Sequence, residues 1–201
     1  MSIYPAPLEN LIHDLSRLPG VGVKSATRIA LFILKSDRAV AEKLAQSLIA
    51  VKDRIRFCSV CFNLTEGDPC PICRDPNRAN GVICVVEGPA DQLAIEESRI
   101  FQGRYHVLHG VLSPLDGVGP EDLRIGELLQ RIGKEEVKEV ILATNPTAEG
   151  ESTAGYIAKV LAGRVAASRI ALGIPMGGDL KYMDSMTLQH ALKKRNPVPE
   201  Q

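Results

Sequence analysis

Four cysteines, spaced Cys58-x-x-Cys61 and Cys70-x-x-Cys73, are the residues in this 201-residue chain whose types and spacing point most directly to chemistry. Each pair forms a knuckle that can bring two thiolates to the ~2.3 Å distance zinc requires, and two knuckles complete a tetrahedron. With sulfur in all four positions no place is left for water. The metal is therefore expected to be structural, one Zn2+ per chain, supplying folding free energy to its segment. The alternative is a pair of reactive dithiols or disulfides. The first eleven residues lack the basic-then-apolar layout of a secretory signal, so a reducing, cytoplasmic setting and hence a metal are expected. The fifth cysteine, Cys84, stands inside an apolar run and reads as a small buried hydrophobe.

A second stretch, Leu18-Pro19-Gly20-Val21-Gly22-Val23-Lys24-Ser25-Ala26, is suited to holding phosphate. Gly20 and Gly22 let the backbone approach a ligand closely, and the amides that open the following helix point outward with partial positive charge. Lys24 and Arg28 add full charges, so DNA phosphate is the expected guest and base sequence is not read. The plain alternative is a helix-turn-helix corner with only a packing role.

Carboxylates form a third group. Glu87 follows the run 82–86, and Asn145, Thr147, Glu149 and Glu151 follow the run 140–143. A magnesium ion needs several anionic oxygens to offset its dehydration. Glu87 and Glu149 read equally as solvated carboxylates at helix starts or as contacts to a partner, and Glu151 as surface. No serine-histidine-aspartate arrangement surrounds His13, His106, His109 or His190.

The elements that must position these groups are legible from periodicity. Leu8, Leu11, Ile12, Leu15 and Leu18 predict a helix stopped by Pro19-Gly20, and Ala26, Ile29, Ala30 and Ile33 predict a second over 24–34. A third from about Asp37 carries Val40, Leu44, Leu48 and Val51. The cysteine segment has little apolar material of its own. Beyond Gly81, short apolar runs at 82–86, 105–109, 140–143 and 170–172 predict buried parallel strands. Helices are predicted at 90–98, 123–132, 149–161 and 187–194, so the expected class is α/β, a mainly parallel sheet covered by helices on both faces.

Totals narrow the function. No apolar run approaches the ~20 residues of a membrane helix. Lysine plus arginine and aspartate plus glutamate both number 24, yet residues 1–60 hold nine basic against five acidic side chains, so the first third faces anions. Aromatic residues are only 4% with no tryptophan, which argues against a base-stacking platform and for backbone contacts.

The turn at Pro19-Gly20-Val21-Gly22 followed by Lys24 resembles the helix-hairpin-helix motif. The stretches 86–91 and 143–151 resemble the Toprim domain of topoisomerases, primases and some nucleases, whose catalytic members carry a glutamate matched by Glu87 and two aspartates where this chain has Asn145 and Thr147. In this order, with Leu112-Ser113-Pro114-Leu115-Asp116-Gly117 and Gly177-Gly178-Asp179-Leu180, they resemble the bacterial recombination mediator family RecR over essentially the whole chain. The resemblance implies a non-enzymatic DNA clamp, a homo-oligomeric ring that is a tetramer, nucleoid-associated and working with RecO, and in some bacteria RecF, to load RecA at single-stranded gaps. It places DNA contact at Lys24, Arg28, Gly20 and Gly22, and a vestigial acidic face, a RecO contact, at Glu87, Asn145 and Glu149. The expected layout is a helix-hairpin-helix unit over 1–53, a four-cysteine zinc finger over 54–80, a Toprim domain over 81–175 and an oligomer-contact segment over 176–201. Two rivals follow from the same residues: a magnesium-dependent Toprim nuclease or primase, and a zinc adaptor that binds only proteins.

Overall fold

The computed structural model describes residues 4–171, 173–195 and 197. By internal contacts the chain divides after Ile55 into two compact units.

The first unit is helical. Helix α1 spans Ala6–Ser16, with Pro5 just before it and Pro7 in its first turn, positions that lose no helical hydrogen bond. It ends two residues before the expected stop, leaving Leu18 exposed in the turn. Helix α2, Val23–Lys35, packs against α1 through Ala26 and Ala30, both fully buried, whose small side chains allow close approach. Helix α3, Arg38–Arg54, buries no side chain among the described residues. Its apolar row Val40, Leu44, Leu48 and Val51 lies open to solvent.

The second unit begins with a two-stranded antiparallel ribbon, β1 (Arg56–Phe57) and β2 (Leu64–Thr65), and the short helix α4 (Pro71–Arg74). There follow β3 (Val82–Val86), α5 (Pro89–Glu97), β4 (Arg104–Val107), α6 (Ile125–Lys134), β5 (Glu139–Leu142), α7 (Ala148–Leu161), β6 (Ala166–Arg169) and α8 (Ser185–Lys193). The four longer strands form one sheet in the order β4-β3-β5-β6, every pair parallel. Crossover helices cover both faces, as the α/β reading expects. On one face Ile83, Val85, Val140 and Leu142 meet Leu128 of α6 and Ala154, Ile157 and Leu161 of α7. On the other, Cys84, Val86, Tyr105, Val107 and Ala143 meet Ile95 of α5. Phe62 and Ile72 of the cysteine segment complete this second face, so a segment poor in apolar residues lends the ones it has to the larger core.

The last strand differs from expectation. The run 170–172 is not the strand: β6 lies at Ala166–Arg169, Ile170 is exposed, and Leu172 falls outside the described residues. As an edge strand of intermediate to high exposure, β6 needs no apolar run, and a search for one overshoots it. The expected oligomer-contact segment, 176–201, also extends over residues outside those described, 196 and 198–201. Among the described residues no helix is long and apolar enough to cross a membrane.

Candidate metal centre and anion-binding turn

Cys58, Cys61, Cys70 and Cys73 are all buried and their sulfur atoms all lie within 4.8 Å of one another. A zinc tetrathiolate with ~2.3 Å bonds sets its sulfurs about 3.8 Å apart, and Cys61 Sγ and Cys70 Sγ stand 3.6 Å apart. The backbone N–H groups of Val60 and Cys70 point at Cys58 Sγ from 3.5 and 3.3 Å, the second-layer donors that stabilise a ligating thiolate. As bare thiols, Cys61 and Cys73 resist ionising beside Cys70. Hydrogen bonding to Cys70 pushes Cys61 up, hydrogen bonding to Cys61 and Cys70 pushes Cys73 up, and Cys70, accepting from Cys61 and Cys73, is pushed down. A divalent cation removes that conflict, and the set fits one structural zinc. Cys84 stands apart from the four in the sheet core, its thiol pushed up to about 12 by burial.

The centre is tied to the sheet. Val107 N donates to Cys61 O at 2.8 Å, His109 Nε2 meets Phe62 O at 2.6 Å, and Asn63 Nδ2 donates to Gln92 Oε1 at 2.5 Å. Phe57 lies against the His109 ring at 4.4 Å, and Arg124 sits over the Phe62 ring. His109, one of the histidines without a motif, is thus a strut between β4 and the cysteine segment. His106 is fully buried on β4, its Nε2 facing Arg124 O at 2.6 Å, and has no catalytic neighbour among the described residues.

In the first unit, Gly20 takes φ +76°, the left-handed region that favours glycine, and turns the chain from α1 toward α2. Gly22 is the N-cap of α2; no side chain caps this helix start and no acidic residue lies in its first turn. Lys24 and Arg28 are exposed one turn apart and line a shallow surface with Thr27, Leu31, Phe32 and Lys35. Over 21–36 the sequence holds three basic residues and no acid. Open amides, the helix dipole and the exposed cations of Lys24 and Arg28 lie together in the first two turns of α2, an arrangement with the chemistry to accept a phosphate.

At the carboxyl ends of β3 and β5, Glu87 and Asn145 are joined. Asn145 N donates to Glu87 Oε1 at 2.6 Å and Asn145 Nδ2 to Glu87 Oε2 at 2.7 Å. Thr147 is spent on α7, its hydroxyl accepting from Gly150 N at 3.0 Å as the N-cap. Glu149 is exposed in the first turn of α7. Glu151 is a correction: instead of plain surface it is half-buried and ion-paired to Arg169. Arg169, at the end of β6, also donates to Thr144 Oγ1 at 2.8 Å and to the carbonyl of Thr144 at 3.2 Å, filling the ground between strand ends. No motif or spacing singles out Arg169, because its role depends on the register that sets it opposite Leu142.

Comparison with known proteins agrees with this geometry segment by segment. Family models match residues 8–52 (RecR, helix-hairpin-helix), 55–75 (RecR, four-cysteine zinc finger domain), 81–171 (Toprim domain) and 173–196 (RecR, C-terminal). The recombination protein RecR of Syntrophobacter fumaroxidans is 59% identical over 193 residues, covering 96% of each chain. That of Desulfatibacillum aliphaticivorans is 53% identical over 197 residues, 98% of this chain and 99% of the relative, and that of Gloeobacter violaceus is 52% identical over 199 residues, 98% and 100%.

Proposed function

Since the chain belongs to the RecR family of recombination proteins, we propose that it is a non-catalytic, sequence-independent DNA-binding mediator of recombinational DNA repair. The observation that carries the reading is the uncapped start of α2 at Gly22, where Lys24 and Arg28 stand exposed in a stretch, 21–36, that holds no acidic residue. Phosphate is the ligand such a site holds, and nothing in it distinguishes one base from another.

Two features of the chain support the rest. The open apolar row on α3 is the kind of surface a second copy covers, in keeping with the ring-shaped tetramer the family implies. A ring repeats the phosphate-binding turn by symmetry, and weak contacts multiply through effective concentration. The clasp between Asn145 and Glu87 supports a non-enzymatic role, because the one carboxylate matching the catalytic glutamate already has both oxygens engaged. The layout that goes with this reading is the helix-hairpin-helix unit over 1–53, the zinc finger over 54–80, the Toprim domain over 81–175 and a C-terminal oligomer contact. The face of Glu87, Asn145 and Glu149 is the proposed contact for RecO, with RecF in some bacteria, in loading RecA at single-stranded gaps.

The test is DNA binding by the wild type and by the double variant Lys24→Glu/Arg28→Glu across a salt series with magnesium present, with the same gels inspected for cleavage. Binding lost in the variant, a steep salt dependence in the wild type and uncut DNA are expected. Binding retained by the variant moves the DNA contact elsewhere, and cleavage restores the enzyme reading.

A further inference from the structure

We propose that the turn 113–118 is a rigid docking finger whose Leu115 side chain enters an apolar pocket, rimmed by basic groups, on a partner protein. The inference rests on the RecO-contact reading above and narrows it to one side chain. Leu115 is 99% exposed, sheltered by none of the described residues. Isolated exposed leucines are common on loose loops; this one is held in place. Ser113 N donates to Val118 O at 3.1 Å and Val118 N to Ser113 O at 2.9 Å, closing the base of the turn. Inside it, Asp116 N donates to Ser113 O at 3.0 Å and the Ser113 hydroxyl to Asp116 Oδ2 at 2.6 Å. Gly117 takes φ +73° to reverse the chain.

The base of the finger is anchored as well. Leu112 and Val118 pack against the sheet core, and Leu112 N donates to the hydroxyl of buried Thr153 at 2.8 Å. A side chain presented outward by a frame this well tied loses little freedom when it docks, which is how a single anchor contributes strongly to binding.

Position and charge say what covers it. Gly110 N donates to the backbone carbonyl of Glu87 at 3.1 Å, and Thr153, which holds Leu112 N, donates to the backbone carbonyl of Glu149 one helical turn away, so the root of the finger is tied to the main chain of two residues of the proposed contact face. Over 111–123 the sequence holds Asp116, Glu121 and Asp122 and no basic residue. These exposed carboxylates repel a nucleic-acid backbone and favour a protein surface with basic groups around an apolar pocket.

The test is the affinity of the full chain for purified RecO of the same organism, at low and moderate salt, for the wild type, Leu115→Ala, Leu115→Asp and Glu121→Lys/Asp122→Lys. Leu115→Ala is expected to weaken binding about tenfold or more, and Leu115→Asp to abolish it. The lysine pair is expected to slow association chiefly at low salt. The Leu115 variants should keep the wild-type melting temperature. Wild type bound by RecO with Leu115→Ala and Leu115→Asp bound equally well overturns the finger and leaves the partner reading standing. Wild type that does not bind RecO overturns both. If the Leu115 variants instead change the oligomeric state or lose only DNA, the pocket belongs to a second copy or to another ligand and the proposal is overturned.

Discussion

Asn145 holds both carboxylate oxygens of Glu87, one through its backbone N–H and the other through its side-chain amide. An aspartate at position 145 keeps the backbone bond but sets a second negative charge where the donor was. Asn145→Asp should therefore cost about 1 kcal/mol of stability, a modest figure because both side chains reach solvent. Added magnesium should restore that loss in the variant, since a cation can bridge two carboxylates. Melting curves of wild type and variant with and without magnesium decide the point; identical magnesium responses would sink it.

Gly150 and Gly155 make a paired prediction on one helix. A Cβ at Gly150 meets the carbonyl oxygen of Asn145 at 2.1 Å and Glu87 Oε1 at 2.9 Å, so Gly150→Ala must push α7 off the strand ends and should cost about 3 kcal/mol. Exposed Gly155 has open space around its Cβ position, and Gly155→Ala should stabilise by about 0.5–1 kcal/mol. Urea midpoints for the two variants should move in opposite directions.

His106 ties stability to pH. Burial pushes it down to about 4, helped by Arg131 and His109, while the bond to Arg124 O and the nearby Glu127 pull the other way. Nε2 faces a carbonyl and so carries the proton, leaving Nδ1 buried without a partner. The unfolded chain takes up a proton near pH 6.5 and the folded chain only near 4. Stability must fall as pH drops through that interval, by about 2 kcal/mol between pH 7.5 and 5. His106→Leu should lose that part of the slope, measured by urea unfolding at the two pH values.

Zinc removal should be felt first at β4. One zinc per chain is expected from protein purified without chelator, and a strong chelator should lower the melting temperature. At the end of the strand, the Val107 amide, bound to Cys61 O, should lose hydrogen-exchange protection before the next amide, that of Leu108, which is bound to Val86 O of β3. Equal protection of both amides after metal removal would mean the centre does not brace the sheet.

Much of this is readable from residue types. The knuckle spacing locates the metal centre, Val82–Val86 is β3 residue for residue, and Pro19-Gly20-Val21-Gly22 marks the turn between α1 and α2. What escapes depends on pairs distant in sequence. Arg169 matters because β6 runs beside β5, and Phe62 and Ile72 matter because they roof the second face of the sheet. β6 itself escapes because an edge strand of Ala166, Ala167, Ser168 and Arg169 carries no apolar signature.

The outer side of β4 has one further consequence. A bare strand edge invites a neighbouring molecule's strand to pair with it. Here the outward Val107 N–H is taken by Cys61 O, and the outward Tyr105 carbonyl accepts from Arg131 Nη1 at 2.7 Å. The cysteine segment and Arg131 thus close this side of β4 to strand addition, and metal-free protein should be the more prone to self-association.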